Sequence, residues 1–180
     1  MSPAPDLRVL DAVAEVPAAA WDALAAHEPG AASPFVRHAF LDALEQSGSA
    51  SPRTDWRPRH LTLWRQRRLV AAAPAYVRVS SDGDFSRDWE WAAAAARAGY
   101  GYYPKLVLAV PLTPATGRRL LVAPGEPPGP ARAALLAGAR ALAEAEGCRS
   151  VHVLFAGPDE AEALEAAGLA GRIDFQYHWA

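Results

Sequence analysis

"KLVLAVPLTPATGRRLLV", residues 105–122, decides how this chain folds. Residues 106–110 have the unbroken apolar character of a strand buried on both faces. Pro111 carries no N–H, so a ladder cannot continue normally on that side. Pro111 and Pro114 bracket Leu112 and Thr113, a Thr116-Gly117-Arg118-Arg119 turn follows, and the chain becomes apolar again at Leu120. A core strand interrupted in this way predicts a wedge-shaped gap in a sheet, with backbone amides beside it left for a guest.

Strands and helices alternate on either side of that stretch. Residues 7–16 read as a first strand ended by Pro17, and residues 18–27 have helix composition, with Trp21, Leu24 and Ala25 on one face. "SPF" at 33–35 is a helix start, because Ser33 can cap and Pro34 suits the first helical position. That helix places Phe35, Val36, Ala39, Phe40, Ala43 and Leu44 on one side. Residues 59–64 and 69–79 read as two strands joined through Arg65-Gln66-Arg67-Arg68 as a hairpin.

A polar loop then leads into an alanine-rich helix that stops near Gly99. Beyond "PGEPPGP", residues 131–146 form an amphipathic helix with Leu135, Leu136, Ala139, Leu142 and Ala143 inward and Gly147 after it. Residues 150–155 read as a strand, 159–167 as a short helix closed by Gly168, and 172–179 as a last strand. The order β-α-α-β-β-(α)-β-α-β-α-β predicts an α/β domain, a central mixed sheet with helices on both faces.

At 180 residues, with 51% hydrophobic and 21% charged residues, the chain suits one globular domain with a real core. The formal net charge of −2 gives no basic field for a nucleic-acid backbone. Cys148 is the only cysteine, so neither an intrachain disulfide nor a cysteine zinc site can form. No apolar run approaches the ~18 residues of a membrane span, and "MSPAPDLRVL" is no secretory signal, so the expected location is the cytoplasm. The five histidines show no ligand spacing, so no metal site is expected.

Several phrases carry a likeness to a known family: "SPFVRHAFLDALEQSGS", "WRPRHLTLW", "LVAAAPAYV", "GYYPKLVLAVPLTPATGRRLL", "SVHVLF" and "FQYHWA". Together they resemble the bacterial FemAB-like N-acyltransferases, a GNAT-fold group related to enzymes of peptidoglycan biosynthesis. The resemblance covers nearly all of the chain. It implies a GNAT-like domain over residues 1–180, corresponding to the N-terminal half of a longer two-domain architecture. Where the family pattern has a His and a Tyr, this chain has Ser80 and Ala95, which would impair any chemistry that depends on them. The usual GNAT diphosphate signature, Arg or Gln followed by spaced glycines leading into a helix, is absent as well.

The resemblance implies an acyltransferase moving an acyl or aminoacyl group from acyl-CoA or aminoacyl-tRNA to an amine. The alternative is a non-catalytic scaffold or substrate-recognition half needing a second GNAT-like domain. In the GNAT fold two central strands splay, and the donor's pantetheine lies between them. That places the donor along Val110, Leu112, Thr113, Thr116, Gly117, Arg118 and Arg119, with free amides for a thioester carbonyl and the turn for phosphate. The competing reading is a proline-rich turn with two solvated arginines.

Glu90, set among aromatics in "SRDWEW", is a candidate proton acceptor, and Tyr103 a candidate donor to the leaving thiolate. More plainly, Asp88 caps the next helix with Glu90 in its first turn, and Tyr103 packs at a sheet edge with Lys105 in solvent. His152 reads as a hydrogen-bonded structural histidine. Expected partners are the small-molecule donor and acceptor, with a second GNAT-like domain or self-association. Nucleic acid is not expected apart from aminoacyl-tRNA.

Overall fold

The structure, a computed structural model, describes residues 5–25 and 33–175. Its strands fall into two groups of four. β1 (Asp6–Leu10), β3 (His60–Arg65), β4 (Arg68–Ala73) and β7 (Leu121–Val122) form an antiparallel sheet in the order β1-β3-β4-β7. β2 (Arg57–Pro58), β5 (Ala75–Arg78), β6 (Lys105–Leu108) and β8 (Val151–Val153) form a mixed sheet in the order β2-β5-β6-β8, with β6 and β8 parallel.

One bent hairpin runs through both sheets. β2 and β3 are its first arm, β4 and β5 its second, and the expected turn joins Arg65 to Arg68. Residues 69–79 are therefore two strands rather than one. Pro74 has no N–H for the ladder, and the arms stay joined at the bend because Arg59 N–H donates to Ala75 O at 2.8 Å.

The stretch 105–122 lies along the second arm. Leu108 of β6 stands opposite Ala75, and Ala109 N–H reaches Pro74 O. Leu121 and Val122 of β7 take up the same side further along, opposite Ala72 and Ala71. β6 and β7 are thus two pieces of one strand position. A few steps along the hairpin arm face a far longer stretch of chain, so residues 111–116 leave the sheet as an excursion at Pro111.

Helices cover both faces. α4 (Pro128–Ala145) brings Leu135, Leu136 and Ala139 onto Leu61, Leu63, Leu106 and Leu108, joined by Leu164 of α5 (Pro158–Ala166). On the other face α1 (Ala18–Ala25) and α2 (His38–Gln46) bury Trp21, Leu24 and Leu41 against Leu69, Ala72 and Leu121. α4 comes close to β1, for a Cβ on Gly138 would strike the side chain of Leu7. Among the described residues no helix is long and apolar enough to cross a membrane.

Three further expectations change. Residues 11–16 leave the strand because Asp11 and Ala12 N–H both donate to Glu15 Oε1, closing a 3-10 turn over Val13–Glu15. The helix start at Ser33 holds, with Ser33 Oγ accepting from Phe35 N–H, but it yields one 3-10 turn (Pro34–Val36) before α2. Residues 172–175 form no strand; Arg172 instead donates to the carbonyls of Ser86 and Arg87. Residues 26–27 and 176–179 of the expected elements lie outside the described residues.

Candidate active site

β6 and β8 pair over Leu106–Leu108 and Val151–Val153, and their last contact is Leu154 N–H to Leu108 O at 3.1 Å. Among the described residues the β6–β8 ladder ends there, which leaves the side of the chain after β8 without β6 as its neighbour. Protein already lies along it. After the excursion Gly117 bridges in parallel to Ala156, its N–H donating to Phe155 O at 2.9 Å, and the chain then crosses to β4.

Glu160 holds that crossing in place. One carboxylate oxygen accepts from Arg119 N–H at 3.1 Å and Leu120 N–H at 2.7 Å, and the other from Arg119 N–H at 2.9 Å. Glu160 is completely buried. Burial pushes its carboxyl above the usual range against the pull of those amides and of Arg119 and Arg132. Arg119 is 1% exposed and donates to the carbonyls of Arg118 and Ala115; burial lowers it to about 10. Arg118 pairs with Asp159 at 3.2 Å, as does Arg132 at 3.6 Å.

The residues expected to meet a donor are distributed along this path. Val110 is buried, Leu112 is half exposed at a left-handed backbone position, and Thr113 Oγ1 donates to Pro111 O. Thr116 is exposed and Gly117 lies on the bridge. Arg118 and Arg119 face opposite ways, one to a surface carboxylate and one inward. Leu112 also touches the loop of residues 79–88, where Gly83 at φ +75° leaves no room for a Cβ beside Leu112.

A second cluster sits at the start of β6. Lys105 is fully buried and donates to Ser81 Oγ at 2.6 Å and Asp88 Oδ2 at 2.8 Å. Asp84 Oδ2 lies 2.8 Å from the same ammonium without an aligned hydrogen bond. Tyr102 donates to Asp88 Oδ2, and Tyr103 Oη lies 2.8 Å from Ser81 Oγ. Burial alone would raise the Asp88 carboxyl, but bonds from Lys105, Ser81 and Tyr102 hold it well below the carboxylate range. Burial and the Asp88 bond raise Tyr102 above an ordinary phenol. Beside them Arg78 lies over the Trp56 ring at 3.8 Å and donates to Asp82 O and Asp55.

Tyr103 therefore joins this cluster, and Glu90 does not. Glu90 is exposed on α3 (Trp89–Arg97), whose flanking Trp89 and Trp91 are 55% and 62% exposed and so do not cover it. Asp88 stands at the N-cap position without a capping bond, its carboxylate turned to Lys105, and Lys105 is not in solvent. Ser80 donates to Asp55, and Ala95 is half-buried on α3. His152 meets Ser150 Oγ at 2.8 Å; burial, then the Lys105 charge, brings it down to about 4. Sequence reasoning missed Ser81 and Asp84 as partners of Lys105, and Glu160 at the crossing to β4. Lys105 carried a signal, being the single lysine among eighteen basic residues.

α4 begins on Pro127, Pro128, Gly129 and Pro130, so two first-turn positions and the N-cap have no N–H to offer. Glu126, just before it, pairs with Arg65 at 2.7 Å and places a carboxylate at that helix end. Among the described residues no group of His, Cys, Asp or Glu is arranged to hold a metal ion.

The fold built from these elements resembles solved acetyltransferases. The aminoglycoside N-acetyltransferase AAC(6')-Iy in complex with CoA superposes with TM-score 0.60 at 14% identity, over 100% of this chain and 96% of that one. Ribosomal-protein-alanine N-acetyltransferase from Brucella melitensis gives 0.52 at 14% identity, covering 99% of both chains. Glucosamine-6-phosphate N-acetyltransferase from Arabidopsis thaliana gives 0.56 at 8% identity, covering 98% of this chain and 99% of that one. At such identities the likeness establishes the GNAT acetyltransferase fold. No curated protein sequence matches significantly. The profile of the FemAB-like family, described as peptidoglycan biosynthesis/recognition, matches residues 12–180, and the chain belongs to that family.

Proposed function

We propose that this chain takes part in N-acyl transfer to an amine as a GNAT-fold half that recognises the acceptor, a second GNAT-like domain completing the donor site. Family membership and fold support the acyl-transfer class. The observation that favours an acceptor role is the start of α4. In the GNAT fold a donor diphosphate rests on amides leading into a helix. Here those positions hold Pro127, Pro128 and Pro130 beside the Glu126 carboxylate. Backbone N–H groups are what make a helix start attract phosphate, and proline removes them. The residues present do not fit a CoA diphosphate there.

On this reading the acceptor approaches the side of the sheet held by Lys105, Ser81 and Tyr103. The Tyr103 hydroxyl can give a proton to a substrate group, with the Lys105 ammonium replacing it through Ser81 Oγ. Glu90 serves only if α3 moves toward that cluster.

A second reading keeps acyl-CoA as a direct donor, with its thioester near Val110, Leu112 and Thr113 and its phosphates toward Thr116, Gly117, Arg118 and Arg119. The end of the β6–β8 ladder after Leu108 favours it, because the splay of those strands is where pantetheine lies in this fold. Calorimetric titration of the chain with acetyl-CoA separates the two. The acceptor-half reading expects no heat of binding at millimolar ligand. Saturable binding that the Arg118→Ala, Arg119→Ala variant abolishes overturns it in favour of direct donor use.

A further inference from the structure

Two features of the molecule are not used by the reading above: the exposed aromatic residues on and around α3, and the carboxylate of Glu160. The second carries further. Paired backbone amides presented to one anionic group are the common element of anion sites in proteins. Arg119 and Leu120 present such a pair, and the group they hold is a carboxylate of the protein itself.

The surroundings are more cationic than a cap requires. Arg119, Arg132 and Arg118 stand around the amides, with Asp159 the other carboxylate. The Nε atoms of Arg119 and Arg132 are buried without a hydrogen-bond partner, and Arg119 as a whole is 1% exposed. Take Glu160 away, and the two amides lose their acceptor while the charges of Arg119 and Arg132 stay beside them. The element carrying Glu160 is also lightly held. α5 buries only Glu160 and Leu164, whereas α4 buries six side chains or backbone positions.

We infer that the amides of Arg119 and Leu120, in the positive field of Arg119 and Arg132, form an anion-binding site for a phosphate or carboxylate, which Glu160 fills from within. α5 is the latch that carries this internal occupant. A tethered carboxylate competes at an effective concentration of about the millimolar range or above, so a free anion displaces it only when α5 lifts or Glu160 is removed. The inference concerns a different place from the start of α4 and stands whether or not the chain transfers acyl groups.

The test is anion rescue in the full chain. Glu160→Ala melts about 5 °C or more below the native chain in chloride, because two buried amides lose their acceptor and the charges of Arg119 and Arg132 lose a neighbouring carboxylate. Sodium phosphate or sodium acetate at matched ionic strength restores part of that loss in a saturable way, while the native chain responds to neither beyond the chloride control. Rescue by phosphate but not acetate assigns the site to phosphate groups, and the reverse assigns it to carboxylates. Equal melting of Glu160→Ala in all three salts overturns the inference, as does the same anion gain in the native chain. Should Glu160→Ala fail to fold, Glu160→Gln keeps the shape of the side chain. Slower hydrogen exchange at Arg119 and Leu120 of that variant in phosphate supports the site, and unchanged exchange overturns it.

Discussion

Lys105 is a cation with no exposure to solvent. An ammonium in the interior is tolerated only when carboxylates and hydroxyls replace its water, and Asp84, Asp88 and Ser81 do so here. Lys105→Met leaves buried Asp88 without its cation and buried Asp84 with Arg78 alone, 4.0 Å away. The expected cost is about 3–5 kcal/mol, or about 10 °C in melting temperature. Lys105→Met combined with Asp84→Asn and Asp88→Asn recovers a large part of it. Thermal unfolding followed by circular dichroism checks both; an unchanged melting point for the single variant refutes the account.

His152 adds a pH dependence. Folded, it binds a proton only near pH 4, whereas the unfolded residue does so near 6.5. Between these values the unfolded chain holds the extra proton, so the stability His152 provides is present above pH 6.5 and lost as pH falls toward 4. Glu160, raised by burial, works in the opposite sense. The difference between the native chain and His152→Gln therefore isolates the histidine. Urea unfolding is expected to show the native chain losing about 1–2 kcal/mol more than the variant between pH 7 and pH 5. Parallel curves would remove His152 from the account.

At the scale of elements, the hairpin of β2–β3 and β4–β5 organises everything else, and α4 and α5 differ in how firmly they are seated. Hydrogen exchange is expected to show the middle of α4 protected to near the global limit and α5 exchanging much sooner. Equal protection of the two helices would count against α5 as a separable latch. The elements also show what could be read in advance. Period and punctuation revealed α1, α4, α5 and the Arg65–Arg68 turn, because each is set by local chemistry. The run 69–79 concealed its break, because apolar residues lie on both sides of Pro74 and only the partner strands show that the ladder changes sheets. Residues 11–16 looked extended until Glu15 was seen to turn back on Asp11 and Ala12. The site was less legible still: Glu160 reads as an ordinary first-turn acid, and its partners lie forty positions away.

Across the whole molecule, large apolar side chains remain uncovered along one region. Val79, Phe85, Trp89, Trp91 and Tyr100 follow one another through the loop and α3, and Arg172 brings Ile173 and Phe175 beside that loop. Exposed apolar area gathered this way promotes association. Sedimentation velocity is expected to show mass rising with concentration, and Trp89→Lys with Trp91→Lys to reduce it. A concentration-independent monomer refutes the expectation.

The placing of β6 and β7 end to end along one hairpin arm has a practical side. Because the hairpin fixes where each piece docks, nothing in the ladder counts the residues spent between them at 111–116. Foreign sequence spliced in after Thr113 would bulge outward like slack in a rope tied at both ends, leaving the knots undisturbed. That makes the spot a natural place to attach a reporter to a chain whose sheets must stay intact.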